Sequence, residues 1–351
     1  MTAINRGRRE RGRRRPAVTQ VAAGIFRVTQ TLRFLGTRFS VNVYVLAGEN
    51  GLVFDAGYGN RTSRNQLAEA IGQIETLGSS AGDVCRIRRV IPSHSHWDHF
   101  SGMAYLQKKP GLELLATEKQ IQVIQSARRY RNLFGAPHSF YKKPGPGIPR
   151  AIQFIKSRLG RQLFLSLLGV KFVSGAVRVL EEGTVLDTGQ DQWDVIELPG
   201  HTDDDLSLYC RDKGILLCGD LLLRKVTTWL GPPRSNLKTY IRSLESILAL
   251  PGLKLILPAH GSPVTEPADR VRQAIAHRHE RTGQIADLVQ RAGASGISCE
   301  AVCRSIYPAV PMFRRHIFEG WICVTLEHLV ETGRIRVRYG KRQAVFTYRH
   351  K

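Results

Sequence analysis

The sequence predicts an α+β protein: two mixed β-sheets stacked face to face between outer helices, an αββα sandwich, with a small module of helices and a hairpin behind it. Three observations carry this prediction. Short apolar runs of strand character recur between helical stretches from Gly24 to Ala292. Four of these runs end in histidine or aspartate: Val90-Ile91-Pro92 before His94-Ser95-His96-Trp97-Asp98-His99, Val195 to Pro199 before His201, Gly214 to Leu217 before Cys218-Gly219-Asp220, and Leu253 to Leu257 before His260. After Gly293 the pattern changes to helices followed by a strict polar/apolar alternation, Arg334 to Tyr339.

Met1 to Pro16 carries seven arginines against one glutamate and almost no apolar residue, so it is expected to be a disordered basic tail. Strands are expected at Ile25–Thr31 and Ser40–Leu46. Gly48-Glu49-Asn50-Gly51 reads as a hairpin turn, with Asn50-Gly51 supplying the positive φ. Leu52-Val53-Phe54 is the return strand and ends at Asp55-Ala56-Gly57. A helix over about Arg61 to Leu77 precedes the strand Arg86–Ile91, which delivers the histidine-rich stretch. Leu112–Ala116 reads as a strand, and Thr117 to Arg128 as one helix with Thr117 at its N-cap.

From Lys108 to Gly175, thirteen cations face two acids. Within that region, about 128–175 reads as a basic lid or insertion carrying Tyr130, Phe134, Phe140 and Tyr141; aromatics among cations suit stacked bases or an acyl-phosphopantetheine arm equally well. Strands resume at Val177–Leu180, Asp191–Leu198, Leu206–Tyr209 and Gly214–Cys218. A helix at about Leu237–Leu250, the strand Leu253–Leu257 and a long helix Pro267–Ala292 close the body, residues 17–292. Residues 293–351 hold a helix at Ser298–Tyr307, a second at Phe318–Glu331 and a basic hairpin (Arg334–Tyr339, Gln343–Tyr348), a winged-helix-like module. The Phe318–Glu331 helix has three glutamates and no cation, which argues against base readout in a groove. The module is expected to pack over the active-site mouth or to form a homodimer contact.

The chain has 351 residues, 42% of them hydrophobic, enough for a sizeable core. No apolar run is long enough to span a bilayer. A net charge of +23 remains strongly positive beyond the tail, and such a field attracts polyanions: RNA, acidic membrane, or phosphate-bearing substrates. Six cysteines without a Cys-x-x-Cys pair, several inside apolar runs, point to a reducing, cytoplasmic setting rather than a disulfide framework.

Imidazole and carboxylate are the donors that borderline metals prefer. In an extended His-x-His both rings point to one side, so His94 and His96 can share an ion. Asp98 and His99, on the turn beyond, can reach a second point a few ångströms away. That is the layout of a two-metal site. The stretch resembles the signature motif of the metallo-β-lactamase superfamily, and Gly200-His201-Thr202, Cys218-Gly219-Asp220 and Pro258-Ala259-His260-Gly261 resemble its later motifs in order and type. The resemblance implies one metal on His94, His96 and His201, another on Asp98, His99 and His260, and Asp220 bridging them. It also implies that Asp55 supports a ligand from behind. Asp203-Asp204 after His201-Thr202, the helix containing His277-Arg278-His279-Glu280-Arg281, and the tail resemble the β-lactamase-like protein 2 subfamily. That subfamily includes a single-strand-specific endoribonuclease, and its relatives include thioesterases.

Two divalent ions so placed would lower the pKa of a water between them toward neutrality. The expected chemistry is therefore hydrolysis by a metal-bridged hydroxide at a centre built on Asp98 and Asp220. Zinc is the default ion, and iron or manganese fits the same ligands. The expected substrate is a thioester or ester of the acylglutathione, acyl-CoA or acyl-carrier kind. Single-stranded RNA is the alternative substrate, and a non-catalytic regulator on the same fold is the alternative role.

Overall fold

Side-chain alternation along single strands builds the layers. The computed structural model describes residues 18–34, 37–80, 84–135, 163, 165–310, 312–340 and 344–349. The expected basic tail and most of the expected lid, including Phe140 and Tyr141, lie outside the described residues. In strand β3 (Thr37–Leu46), Val43 and Val45 face a cluster that also holds Leu67, Ala70, Ile71 and Ile74 of helix α1 (Arg61–Ser80). Tyr44 and Leu46 face the opposite way, into a cluster shared with Trp193, Leu206, Leu208 and Leu257. Strand β10 (Leu206–Cys210) repeats the device: Leu206 and Leu208 face the first sheet, while Tyr209 joins Tyr240, Leu244 and Ile247 of the helix Leu237–Leu248. Period-two alternation with both faces buried gives helix, sheet, sheet, helix. Each large apolar side chain so buried contributes roughly 1.5–3 kcal/mol.

Among the described residues there are two large sheets, the first with seven strands in the order β1 to β7: Val18–Ala22, Ile25–Phe34, β3, Gly51–Phe54, Ile87–Ile91, Glu113–Ala116 and Arg178–Val179. The second has five, in the order β12, β11, β10, β9, β8: Leu255–Leu257, Ile215–Leu217, β10, Gln192–Glu197 and Val185–Asp187. Both are mixed. Strands β4 to β7 run parallel, as do β11 and β12, and the remaining pairs are antiparallel. The αββα expectation holds.

Three local expectations are corrected. In the hairpin turn the positive φ belongs to Gly48 (142°), whose Cβ would strike the Thr188 carbonyl, and not to Asn50-Gly51. The helix expected over Thr117–Arg128 is two, Glu118–Ile124 and Ala127–Gly135. Thr117 does cap the first, in a capping box with Gln120. The break follows because the Ile124 carbonyl accepts from Val173 N (3.0 Å), while Ser126 Oγ accepts from Arg129 N (3.2 Å) and restarts the helix. The helix expected from Phe318 begins at Met312 and so takes in Arg314 and Arg315. The helices Cys299–Ile306 and Met312–Glu331 and the hairpin Ile335–Tyr339/Ala344–Tyr348 share one apolar cluster with the second sheet and the long helix Pro267–Arg291. Val302, Leu326 and Phe346 belong to the same core as Ile256 and Val271, so the C-terminal elements are cored on the body. All six cysteines are buried, and none forms a disulfide. Among the described residues no helix is long and apolar enough to cross a membrane.

The two sheets are tied where the histidine loops emerge. Asn42 N donates to the Ala259 carbonyl (2.7 Å), Asn42 Nδ2 to those of Pro258 (3.1 Å) and Gly261 (2.9 Å), and Tyr44 Oη to that of Pro258 (2.8 Å). Asn42→Ala strips the amide and leaves the Gly261 carbonyl short of a partner. It is expected to cost about 1–3 kcal/mol of stability in urea unfolding.

Candidate metal centre

All seven residues that the resemblance implies converge at the edge between the sheets. His94, His96, His201 and Asp220 form one cluster, and Asp98, His99 and His260 another, with potential donor atoms in each lying within 4.8 Å of one another. They come from four loops, after β5, β9, β11 and β12, and the backbone holds these loops together. Leu206 N donates to the Ser93 carbonyl (2.7 Å), and Ala259 N to that of Gly219 (2.8 Å). Gln120 Nε2 spans the carbonyls of Pro92, Ser93 and Asp204. Gly219 (φ 53°) is required by close approach: a Cβ there would lie 2.7 Å from Ser93 Cβ and Oγ.

The rings are oriented from behind. His99 Nδ1 donates to Asp55 Oδ2 (2.9 Å), His201 Nδ1 to the Trp229 carbonyl (2.8 Å), and His260 Nδ1 to the Ser40 carbonyl. Ser93 Oγ donates to Asp55 Oδ2 (3.1 Å), which leaves it free to accept from His94 Nδ1 (3.0 Å). With Nδ1 carrying the proton, the Nε2 lone pairs of these four rings are presented inward, as a metal site requires. His96 faces the cluster through Nδ1, 2.8 Å from His94 Nε2 and 3.1 Å from His201 Nε2.

Asp220 looks both ways. Its Oδ2 is 3.7 Å from His201 Nε2 and 3.7 Å from His99 Nε2, and its Oδ1 is 3.2 Å from His260 Nε2. Asp98 faces His99 (3.7 Å) and His260 (3.6 Å). His99 Nε2 is fully buried, makes no hydrogen bond, and points at both carboxylates. An orphaned buried ring nitrogen aimed between two carboxylates is what a bound cation would resolve.

The electrostatics agree. Burial, then the neighbouring imidazoles, holds His94 and His96 well below the ordinary histidine range, so they are neutral donors. His201 is also lowered, chiefly by burial. Burial opposes charge on His99, but Asp55, Asp98 and Asp220 outweigh it and push it up. His260 rises to about 9, because Asp220 and Asp98 overcome its desolvation. Burial would raise Asp220, yet His260 and His99 hold it well below the carboxylate range. The carboxylates that raise both rings of the second cluster favour positive charge at that point. The donor set and its charge therefore fit divalent metals.

Asp55 sits where expected, beneath His99. It is buried at φ 65°, a left-handed conformation uncommon outside glycine, and it also accepts from Ser93 N (2.7 Å). Sequence reasoning missed Ser93, Trp229 and Arg234. Ser93 is marked by adjacency to His94. Trp229 acts through its main-chain carbonyl and Arg234 is one of 52 basic residues, so neither has a sequence signal.

The sequence profile of the metallo-beta-lactamase superfamily matches residues 36–260, and the chain belongs to that superfamily. It is 23% identical over 280 residues to the probable metallo-hydrolase YqjP of Bacillus subtilis (strain 168), covering 77% of this chain and 81% of that protein. It is 24% identical over 243 residues to the acyl-coenzyme A thioesterase MBLAC2 of Bos taurus, covering 68% and 78%. The beta-lactamase-like protein 2 homolog of Drosophila melanogaster is 30% identical over 117 residues, 33% of this chain and 38% of that one. Among solved structures, a beta-lactamase domain protein from Burkholderia ambifaria superposes with a TM-score of 0.74 at 19% identity, covering 95% of this chain and 94% of that one. A metallo-beta-lactamase family protein from Thermus thermophilus gives 0.67 at 20% identity, covering 94% and 100%. The structures speak to the fold.

Asp55→Asn keeps the side-chain shape but removes the carboxylate that orients His99. Metal affinity is expected to fall about 10–100-fold with the fold retained, checked by competition with a chelator alongside circular dichroism.

Proposed function

We propose that this chain is a metal-dependent hydrolase of acyl thioesters or esters, with acyl-coenzyme A substrates first. The observation that carries the hydrolase reading is Asp220, whose two oxygens face both histidine clusters. His94, His96 and His201 would hold one divalent ion, Asp98, His99 and His260 the other, and Asp220 would be shared. Zinc is the first candidate for so imidazole-rich a set, and iron or manganese satisfies the same donors. Bound there, such ions supply an activated water near neutral pH and polarise an acyl carbonyl.

The chain's own side chains do the rest. Asp55, Ser93 and the Trp229 and Ser40 carbonyls fix the rings, so no reorganisation is needed during reaction. Asp98 and Asp220, engaged as ligands, are not free bases. His94, His99 and His201 are buried, whereas His96, Asp98, Asp220 and His260 are partly exposed, His260 at 27%. Substrate would therefore enter past His96, Asp98 and His260. In the net reaction, water adds its hydroxyl to the acyl carbon, the C–S bond breaks, and the thiol leaves with the proton.

Two things favour the acyl-coenzyme A class. A relative matched over 68% of the chain bears that activity in its name. The net charge of +23 suits a substrate with phosphates. The same charge favours the RNA reading, which the assay below separates.

The test is metal analysis of the purified protein, then parallel turnover of an acyl-coenzyme A and a fluorogenic single-stranded RNA. About two metals per chain with thioester cleavage is the expected result. RNA cleavage alone would move the reading to a phosphodiesterase, and neither metal nor turnover would move it to a regulator. Asp220→Ala is expected to reduce turnover by more than the roughly 100-fold that loss of an outer partner costs, while circular dichroism stays unchanged.

A further inference from the structure

The three histidines of the first cluster come from different sheets. His94 and His96 lie on the loop after β5, and His201 lies on the loop after β9. Their mutual spacing depends on what crosses between those loops. Arg234 does so at side-chain level. Its guanidinium pairs with Asp203 Oδ1 (2.5 Å) and Asp204 Oδ2 (2.7 Å), two and three residues beyond His201. Its Nη1 also donates to the hydroxyl of Ser95, the residue between His94 and His96. Arg234 and Ser95 are buried, and the Asp204 carboxylate is fully so.

The surrounding loop reinforces the clasp. Ser235 Oγ donates to the His201 carbonyl (2.6 Å), Asn236 N to that of Gly200 (3.1 Å), and the Trp229 carbonyl receives His201 Nδ1. The loop is itself braced. Thr228 Oγ1 donates to the Asp220 carbonyl (2.8 Å), and buried Arg278 of the long helix donates to the Thr228 carbonyl. Gly320 of the helix Met312–Glu331 lies against Trp229, Leu230 and Gly231, leaving only tight space for a Cβ.

We propose that Arg234 is a positioning residue: by gripping Asp203, Asp204 and Ser95 together, it sets the distance between the His94/His96 loop and His201, and so tunes one of the two metal positions. This rests on the reading of the clusters as metal sites. A planar guanidinium with several donors can satisfy two carboxylates and a hydroxyl at once, and a lysine ammonium cannot match that geometry. The Asp203-Asp204 pair after His201-Thr202 acquires a role as the acidic half of the clasp.

The experiment is titration of metal-depleted protein with Co2+, read by visible absorption and calorimetry, for wild type, Arg234→Gln, Arg234→Lys and Ser95→Ala. Wild type is expected to show two binding events. Arg234→Gln is expected to weaken one of them about 10–100-fold and shift its absorption band, leaving the other in place, with Arg234→Lys restoring only part of the loss. Removing one partner of a buried pair can unfold a protein. Ser95→Ala deletes only the far end of the clasp and is expected to reproduce the selective loss in smaller measure.

Two unchanged binding events in folded Arg234→Gln would overturn the proposal, as would equal weakening of both events in step with a lowered Tm. Should Arg234→Gln not fold, an unchanged isotherm for Ser95→Ala would overturn it. No Co2+ binding by wild type would overturn both the positioning role and the metal reading, whereas two events in wild type and unaltered variants would spare the latter.

Discussion

The buried carboxylate of Asp55 is the contact on which the rest of the centre depends. It stands at the end of a parallel strand, in a backbone conformation that few residues adopt, and accepts from Ser93 N, Ser93 Oγ and His99 Nδ1. Through Ser93 it also decides the tautomer of His94, because a hydroxyl that has donated its proton to Asp55 can only accept from that ring. One charge thereby sets the lone-pair direction of one histidine in each cluster. A buried carboxylate without such donors would be costly, and these donors without the carboxylate would be left competing for water. The backbone strain at Asp55 belongs to the same arrangement, since the left-handed turn is what brings the side chain under His99.

The second half of the centre obeys a charge constraint. Two acids and two imidazoles, those of Asp98, Asp220, His99 and His260, meet at a partly buried point around the fully buried His99 ring. The shifts are mutual: both histidines rise and Asp220 falls. A proton that balances the set at His99 or His260 occupies the nitrogen lone pair that a metal would use. The orphaned His99 Nε2 shows where that balance is incomplete in hydrogen-bonding terms.

How much of this was legible in the sequence follows from how local each feature is. His94 to His99 announce themselves because the donors are adjacent and the strand before them is apolar. His201, Asp220 and His260 were legible through the resemblance of their motifs to those of the superfamily, each following an apolar strand, and the layered fold places strand ends of the two sheets along one edge. Thr117 was legible as a cap because capping is settled within four residues. The helix break at Gln125-Ser126 was not, since it depends on Val173, far along the chain, taking the Ile124 carbonyl. The turn at Gly48 to Gly51 was read by its commonest residue pair, but contact with Thr188 across the sheets moved the positive φ to Gly48. Arg234 was invisible for the same reason in stronger form: all three of its partners lie on loops that only the fold brings near.

The C-terminal elements gain their meaning from that geometry. Separated in sequence by their changed composition, they share an apolar cluster with the second sheet, so their packing energy and that of the body are drawn from the same contacts. Gly320 touches the ring and neighbours of Trp229, whose carbonyl orients His201, and Arg278 holds Thr228, whose hydroxyl touches the backbone of Asp220. A side-chain change at Gly320 of the C-terminal helix, or at Arg278 of the long helix it packs beside, can therefore reach a residue of the candidate metal centre through two contacts. That route needs no movement of the module as a whole. It follows from close packing, in which a shift of a few tenths of an ångström has nowhere else to go.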